Sequence, residues 1–288
     1  MDVGGPEGWI LAGLDISSAV VSSAVVAAIV AALSSFLTQR YLLERKAQVD
    51  YQYEARKRLH EVVGPLRMQL LLAARDVVRR TRGHVGKGWD MDPSASFVRS
   101  FVYRLLRPLA ISQLIERQMS FADFSVDPAA IALLRFNTNA ERVLTGKEIV
   151  LSHPATNWET QTQHLFRDNL RAAASTLIAE DEGGAVVMSF ARFQREIPDM
   201  ATISELRDLA AIFSASGDSL SNNPLFWLRL VGYAYICSDL IAKQGLAVGF
   251  EDNPLPLESM LRAAKDDQIS NRTGDYIQAF EEIAVQGL

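Results

Sequence analysis

Apolar positions open this chain as one unbroken block and afterwards recur at helical spacing, and nowhere do they alternate over a β-branched run as an exposed strand would require. From Ile16 to Gln39 there are 24 consecutive uncharged residues. As a helix they would rise about 36 Å, against a hydrocarbon core of about 30 Å, so the block predicts a single transmembrane helix over 16–39. Only Asp2, Glu7 and Asp15 precede it, whereas Arg40, Arg45, Lys46, Arg56, Lys57 and Arg58 follow. The positive-inside bias therefore predicts a short extracytoplasmic tail at 1–15 and a cytoplasmic carboxy-terminal side, at the inner (plasma) membrane. Trp9 and Tyr41 fall near the two ends, where interfacial aromatics are expected. A cleaved signal peptide fits less well, because no basic residue leads the block and its length is about twice a usual apolar h-region.

Serine dilutes this block at positions 17, 18, 22, 23, 34 and 35, which keeps a soluble core helix as the competing reading. Ala19, Ser23, Ala27, Ala31 and Ser35 recur every four residues, and Val21, Val25, Ile29, Leu33 and Leu37 repeat the spacing on the far side. One face is small and the other bulky. Small faces let helix backbones approach closely in lipid, so this face predicts self-association, or pairing with another membrane protein.

Beyond the block, residues 40–63 contain no Gly or Pro and predict a helical stalk ending at Gly64-Pro65. Its Leu42, Val49 and Tyr53 are too sparse for a coiled-coil seam. Residues 64–288 read as an all-α cytoplasmic bundle. Leu66, Leu70, Val77 and Val78 mark a helix stopping at Gly83, and Phe97 to Leu114 mark another that Pro108 kinks or splits. Asp127-Pro128 and Gly146 delimit the next by an N-cap, a first-turn proline and a terminating glycine. An alanine-rich helix is predicted over Asn157–Ile178, with further helices at 188–197, 204–214, 257–267 and 274–284. Pro224–Lys243 is the second most apolar stretch, but Arg229 and Asp239 make it a core helix rather than a second span.

Charge refines this picture. Residues 38–115 carry 15 basic and 7 acidic side chains, a net of +8, and residues 116–288 carry 14 and 24, a net of −10. The total of −5 argues against a nucleic-acid partner. Arg40, Arg45 and Lys46 lie close enough to the predicted span to contact anionic lipid. Arg75, Arg79, Arg80 and Arg82 form a second basic cluster, read either as the complement of a helix dipole or as a site for an anion or an acidic partner.

Catalytic chemistry is hard to find. The chain lacks G-x-S-x-G, H-E-x-x-H, a dinucleotide fingerprint and C-x-x-C, and TGKE at 145–148 lacks the upstream glycine of a phosphate loop. One cysteine, Cys237, and four histidines leave no material for a disulfide framework or a zinc cluster, so no cofactor or metal is expected. His164 and Asp168, one turn apart on the predicted alanine-rich helix, read as an exposed surface pair, and Asp90 and Asp92 as a loop with at most weak cation affinity. The leading expectation is a membrane-anchored interaction, scaffold or sensor protein that meets lipid and an unidentified cytoplasmic protein. An oligomerising membrane-perturbing effector, and a membrane-surface enzyme acting on a lipid or nucleotide, are the alternatives.

Overall fold

A computed structural model describes residues 8–84, 95–119, 123, 126–159, 163–217, 222–250 and 254–286, with side chains from residue 25 onward, residues 84 and 247 excepted. Its contacts divide the chain into two units, 1–55 and 56–288. The first unit is the amino-terminal part of α1 (Gly8–His84), and its described side chains are exposed from Ala24's successor Val25 through Glu54.

The second unit starts with the rest of α1 and continues through α2 (Ser96–Met119), α3 (Pro128–Thr145), α4 (Arg167–Ser175) and a hairpin of β1 (Ile178–Asp181) and β2 (Gly184–Val187). It closes with α5 (Phe190–Glu196), α6 (Arg207–Ser216), α7 (Pro224–Gln244), α8 (Leu257–Arg262), α9 (Asp267–Asn271) and α10 (Thr273–Gln286). With 79% helix and 3% strand, the chain is all-α as expected.

Helix α7 is the centre of the unit. It packs on α3 above all, and also on α8 and α10, and burial of 72% of its apolar window makes it a core helix. Tyr233 lies fully inside and donates its hydroxyl to the Leu105 carbonyl of α2 at 3.2 Å, so the polar end of a large core side chain is satisfied. Cys237, one turn on, is buried as a small apolar group, and burial pushes its thiol up. The ends of α3 are where the sequence puts them: Asp127 Oδ1 accepts from the Ala129 N–H at 2.9 Å, Pro128 opens the helix, and Gly146 closes it.

Three expectations need correction. Gly64-Pro65 does not end α1, which continues to His84. A proline removes the hydrogen bond to the carbonyl four residues earlier, but Glu61 and Pro65 are both exposed, so water can solvate that carbonyl. Leu59 and Val63 before the proline, and Leu70, Leu71, Ala73 and Ala74 after it, are buried in the same core and hold both sides in line. Pro108 likewise sits inside an undivided α2. Lastly, the helix expected over Asn157–Ile178 shrinks to Arg167–Ser175, with a loop before it and a strand after it.

Candidate functional site

On α1 the positions Met68, Leu72, Arg75, Arg79 and Arg82 follow one another at spacings of four and three, which places them on one helix face. That face meets Ser238 and Ile241 of α7 and the segment 248–250, and together they line an open cavity of about 450 Å³. Gly249 turns the segment through a left-handed conformation, φ 84°, that a glycine adopts freely. Phe250 then lies under the Arg75 guanidinium, 5.4 Å from ring centroid to Cζ. Arg82 donates to the Pro254 carbonyl at 3.1 Å, and Arg67, below the cavity, holds the end of α7 through the Gln244 carbonyl at 3.2 Å.

The structure thus brings together Arg75, Arg79 and Arg82 of the predicted basic cluster and sends Arg80 elsewhere. Arg80 stacks over Phe97 at 4.4 Å and donates to the Phe97 carbonyl and Ser100 Oγ. Burial, followed by the charge of Arg104, lowers its pKa. Among the described lining residues there is no carboxylate. Asp76, on the same turn of α1, faces Arg107 of α2 at 3.7 Å. Glu251 and Asp252 follow Phe250 in sequence and lie outside the described residues.

The other predicted positions separate. Ala27, Ala31 and Ser35 are exposed on α1, as are Arg45 and Lys46, while Arg40 forms an exposed pair with Glu44 at 3.0 Å. Ala19 and Ser23 belong to the same helix, but their side chains lie outside the described residues, as do Asp90 and Asp92 entirely. His164 is not an exposed helical partner of Asp168. It is buried in the loop before α4, edge-on to Trp158 at 4.7 Å and to Phe166 at 5.0 Å, and its pKa is lowered by burial and by the charge of Arg229. An imidazole whose charged form is disfavoured, lying between two aromatic rings, packs, and no nucleophile accompanies it among the described residues.

Sequence reading missed two charged clusters inside the bundle. Glu141 of α3 is buried and accepts from Arg167 Nε at 2.6 Å and Arg171 Nε at 2.5 Å, and Arg171 also reaches Glu116 of α2 at 2.9 Å. The result is a cross-link of α2, α3 and α4. Elsewhere, the loop after α3 carries Leu151 and Ser152 at φ 41° and 59°, a left-handed pair that non-glycine residues adopt only under constraint. Arg272 holds it by donating to the Leu151 carbonyl at 2.8 Å, and His153 Nδ1 accepts from the Ala155 N–H at 3.1 Å, which leaves Nε2 as the donor to Asp266 at 3.0 Å.

Asp266 is also the N-cap of α9. Burial raises its pKa, but hydrogen bonds from His153 and the Ile269 N–H outweigh that and leave it lowered. A carboxyl lowered in the folded state contributes stability above its unfolded pKa of about 3.9 and loses it as pH falls through the folded value. Asp266→Ala is therefore expected to cost about 1–3 kcal/mol at pH 7, and this difference should shrink in thermal melts below about pH 4. An equal cost at pH 7 and pH 3 would show that the carboxylate is not what holds the loop.

No group of three or more metal-ligating side chains occurs among the described residues. A scan against protein-family models finds no match, and neither the curated proteins nor the solved structures contain one. What fold and site define is a class by architecture alone: an all-α domain with a basic cavity, preceded in sequence by an exposed apolar helix.

Proposed function

We propose that this chain is a single-pass membrane-anchored protein, amino terminus outside, whose helical cytoplasmic domain works as a scaffold or sensor rather than as a catalyst. The observation that carries the reading is the surface of α1. Val25, Ile29, Val30, Leu33, Phe36 and Leu37 are each more than half exposed, and no charge interrupts the helix between Asp15 and Arg40. Uncharged on every side and uncovered by its own chain, such a helix needs a non-aqueous neighbour, and lipid is the neighbour that its length fits. The apolar helix α7, by contrast, is already covered by the bundle.

At about 100° per residue, those bulky positions fall within an arc of about 140°, while Ala27, Ala28, Ala31, Ala32, Ser34 and Ser35 take the remainder. The bulky arc suits acyl chains and the small arc suits a second helix; of the five small positions, Ala27, Ala31 and Ser35 fall in the small arc and Ser23 at its edge, and the anchor is proposed to self-associate through them, while Ala19 falls on the bulky side. Arg40, Arg45 and Lys46 would then sit at the cytoplasmic headgroups.

Alkaline carbonate extraction of membranes tests the anchor. The full-length protein is expected in the pellet, and a variant lacking residues 1–39 in the supernatant. Recovery of the full-length chain in the soluble fraction without detergent would remove the reading. Ala27→Leu with Ala31→Leu should leave the pellet fraction unchanged and lower the yield of crosslinked dimer; an undiminished yield would dismiss the small face as the contact.

A further inference from the structure

We propose that a second cavity, between α3, α7 and the last turn of α10, binds a neutral molecule of about two fused rings that offers one N–H or O–H group to the side-chain oxygen of Asn139. Ala132, Phe136 and Asn139 recur along one face of α3, and Ile236, Leu240 and Gln244 recur along one face of α7. Ala284 and Val285 of α10 line the same space, an open cavity of about 290 Å³.

Among the buried residues of the described lining, Asn139 alone has a polar side chain. The others are Phe136, Ile236, Leu240 and Ala284. Asn139 is 4% exposed; its Nδ2 donates to the Ala284 carbonyl at 3.4 Å, and its Oδ1 is buried without a hydrogen-bond partner. Turning the amide over would set its oxygen against the carbonyl oxygen of Ala284, so an acceptor is what the fold leaves over. A water there would need about two to four polar partners, and the buried walls supply only this one. An acceptor that folding has desolvated and left unmatched is where a ligand's donor adds most.

The charged groups of the lining stand at its more exposed positions, where Asp239 pairs with Lys243 at 2.8 Å and Arg135 faces solvent. An ion carried past them would be desolvated with only an amide for company, and an anion would also meet the Asn139 oxygen with the wrong sign. A neutral donor has neither difficulty. Size sets the rest of the ligand: an apolar cavity of about 150 Å³ accepts a benzene ring in another protein, and about 290 Å³ is close to twice that, near the lower end of small-molecule sites. Phe136 gives a flat body a ring to pack against. The inference holds whether or not the anchor spans a membrane, since every residue named lies in the 56–288 unit.

Calorimetric titration of the full-length protein in neutral detergent, corrected with a blank of the same detergent, tests it with two matched pairs of probes: indole with 1-methylindole, and 2-naphthol with 2-methoxynaphthalene. Each pair keeps the ring and replaces the donor hydrogen by a methyl group. Indole or 2-naphthol is expected to bind with a Kd of about 1 mM or below, and its methylated counterpart about three- to tenfold more weakly. Ala132→Phe, which fills the cavity from a partly exposed position on α3, should abolish the binding and leave the circular dichroism spectrum unchanged. In Asn139→Leu the two members of a pair should bind alike. Absence of binding by both donors would overturn the proposal, as would methylated probes that bind as tightly as their parents, or binding that Ala132→Phe retains at full strength. Comparison within a pair uses the wild-type chain and so does not depend on either variant folding. None of these results bears on the carbonate extraction, so the site and the anchor stand or fall separately.

Discussion

Arg229→Ala is expected to destabilise the helical unit by about 3–5 kcal/mol, the range reached when a buried charged group is removed from its partners. Arg229 is 1% exposed in the second turn of the core helix α7. Its Nη1 donates to the carbonyl of Val143, in the last turn of α3, at 3.0 Å and to that of Gly146, the C-cap of α3, at 2.8 Å; the helix has no further turn to supply donors there. The cation also sits at the negative end of the α3 dipole, with the charge of Glu148 in support. Burial lowers its pKa to about 10, so it still carries its charge at pH 7. Alanine there would leave one buried and one part-buried acceptor without their donor and a hole of several methylene volumes. For a unit of this size the loss corresponds to a fall of about 6–20 °C in melting temperature, followed by circular dichroism of the full-length protein in detergent. Arg229→Met, which fills the space but offers no donor, should fall between wild type and alanine. A melting temperature for Arg229→Ala within about 2 °C of wild type would mean that the carbonyls find water instead.

This arginine also shows what the sequence could and could not convey. Its charge was the reason to read 224–243 as a core helix, and that reading agrees with the structure, but nothing local says which carbonyls it caps. Elements bounded by their own residues are legible: α3 carries its N-cap aspartate, its opening proline and its closing glycine within the segment itself. Elements decided by tertiary contacts are not. Pro65 looks like a terminus because the compensating burial, from Leu59 to Ala74, depends on partners far along the chain. Residues 157–166 have the composition of a helix, yet Asn157 Oδ1 accepts from the Glu159 N–H and Gln163 binds both the Asn157 N–H and the Ala155 carbonyl. Those side chains satisfy the backbone locally and so make a loop competitive, while Trp158, His164 and Phe166 gain an aromatic cluster by leaving the helix. The basic cluster was legible as four arginines. Which three share a cavity depends on where Phe97 and Phe250 lie, and neither is adjacent in sequence.

Gly232→Leu is expected to prevent the unit from reaching its native packing, and even Gly232→Ala to cost about 1–3 kcal/mol. Glycine inside a helix is ordinarily a liability of about 1 kcal/mol against alanine, so on propensity alone the alanine variant should be the more stable protein. Space decides against it. A Cβ at position 232 would lie 2.6 Å from Cε1 of Phe280 in α10 and 2.9 Å from Cγ1 of Val143 in α3. Both neighbours are fully buried, so neither can swing into solvent to make room. The missing side chain is thus what lets α7 approach α3 and α10 together, at the turn after Arg229 caps α3. Phe280→Leu removes the ring edge that the new methyl would strike, and combining it with Gly232→Ala should recover part of the loss. Chemical denaturation of wild type, both single variants and the double variant measures the coupling. If the double variant is as unstable as the two single losses added together, Phe280 is not the obstacle, and close approach of these three helices has some other cause.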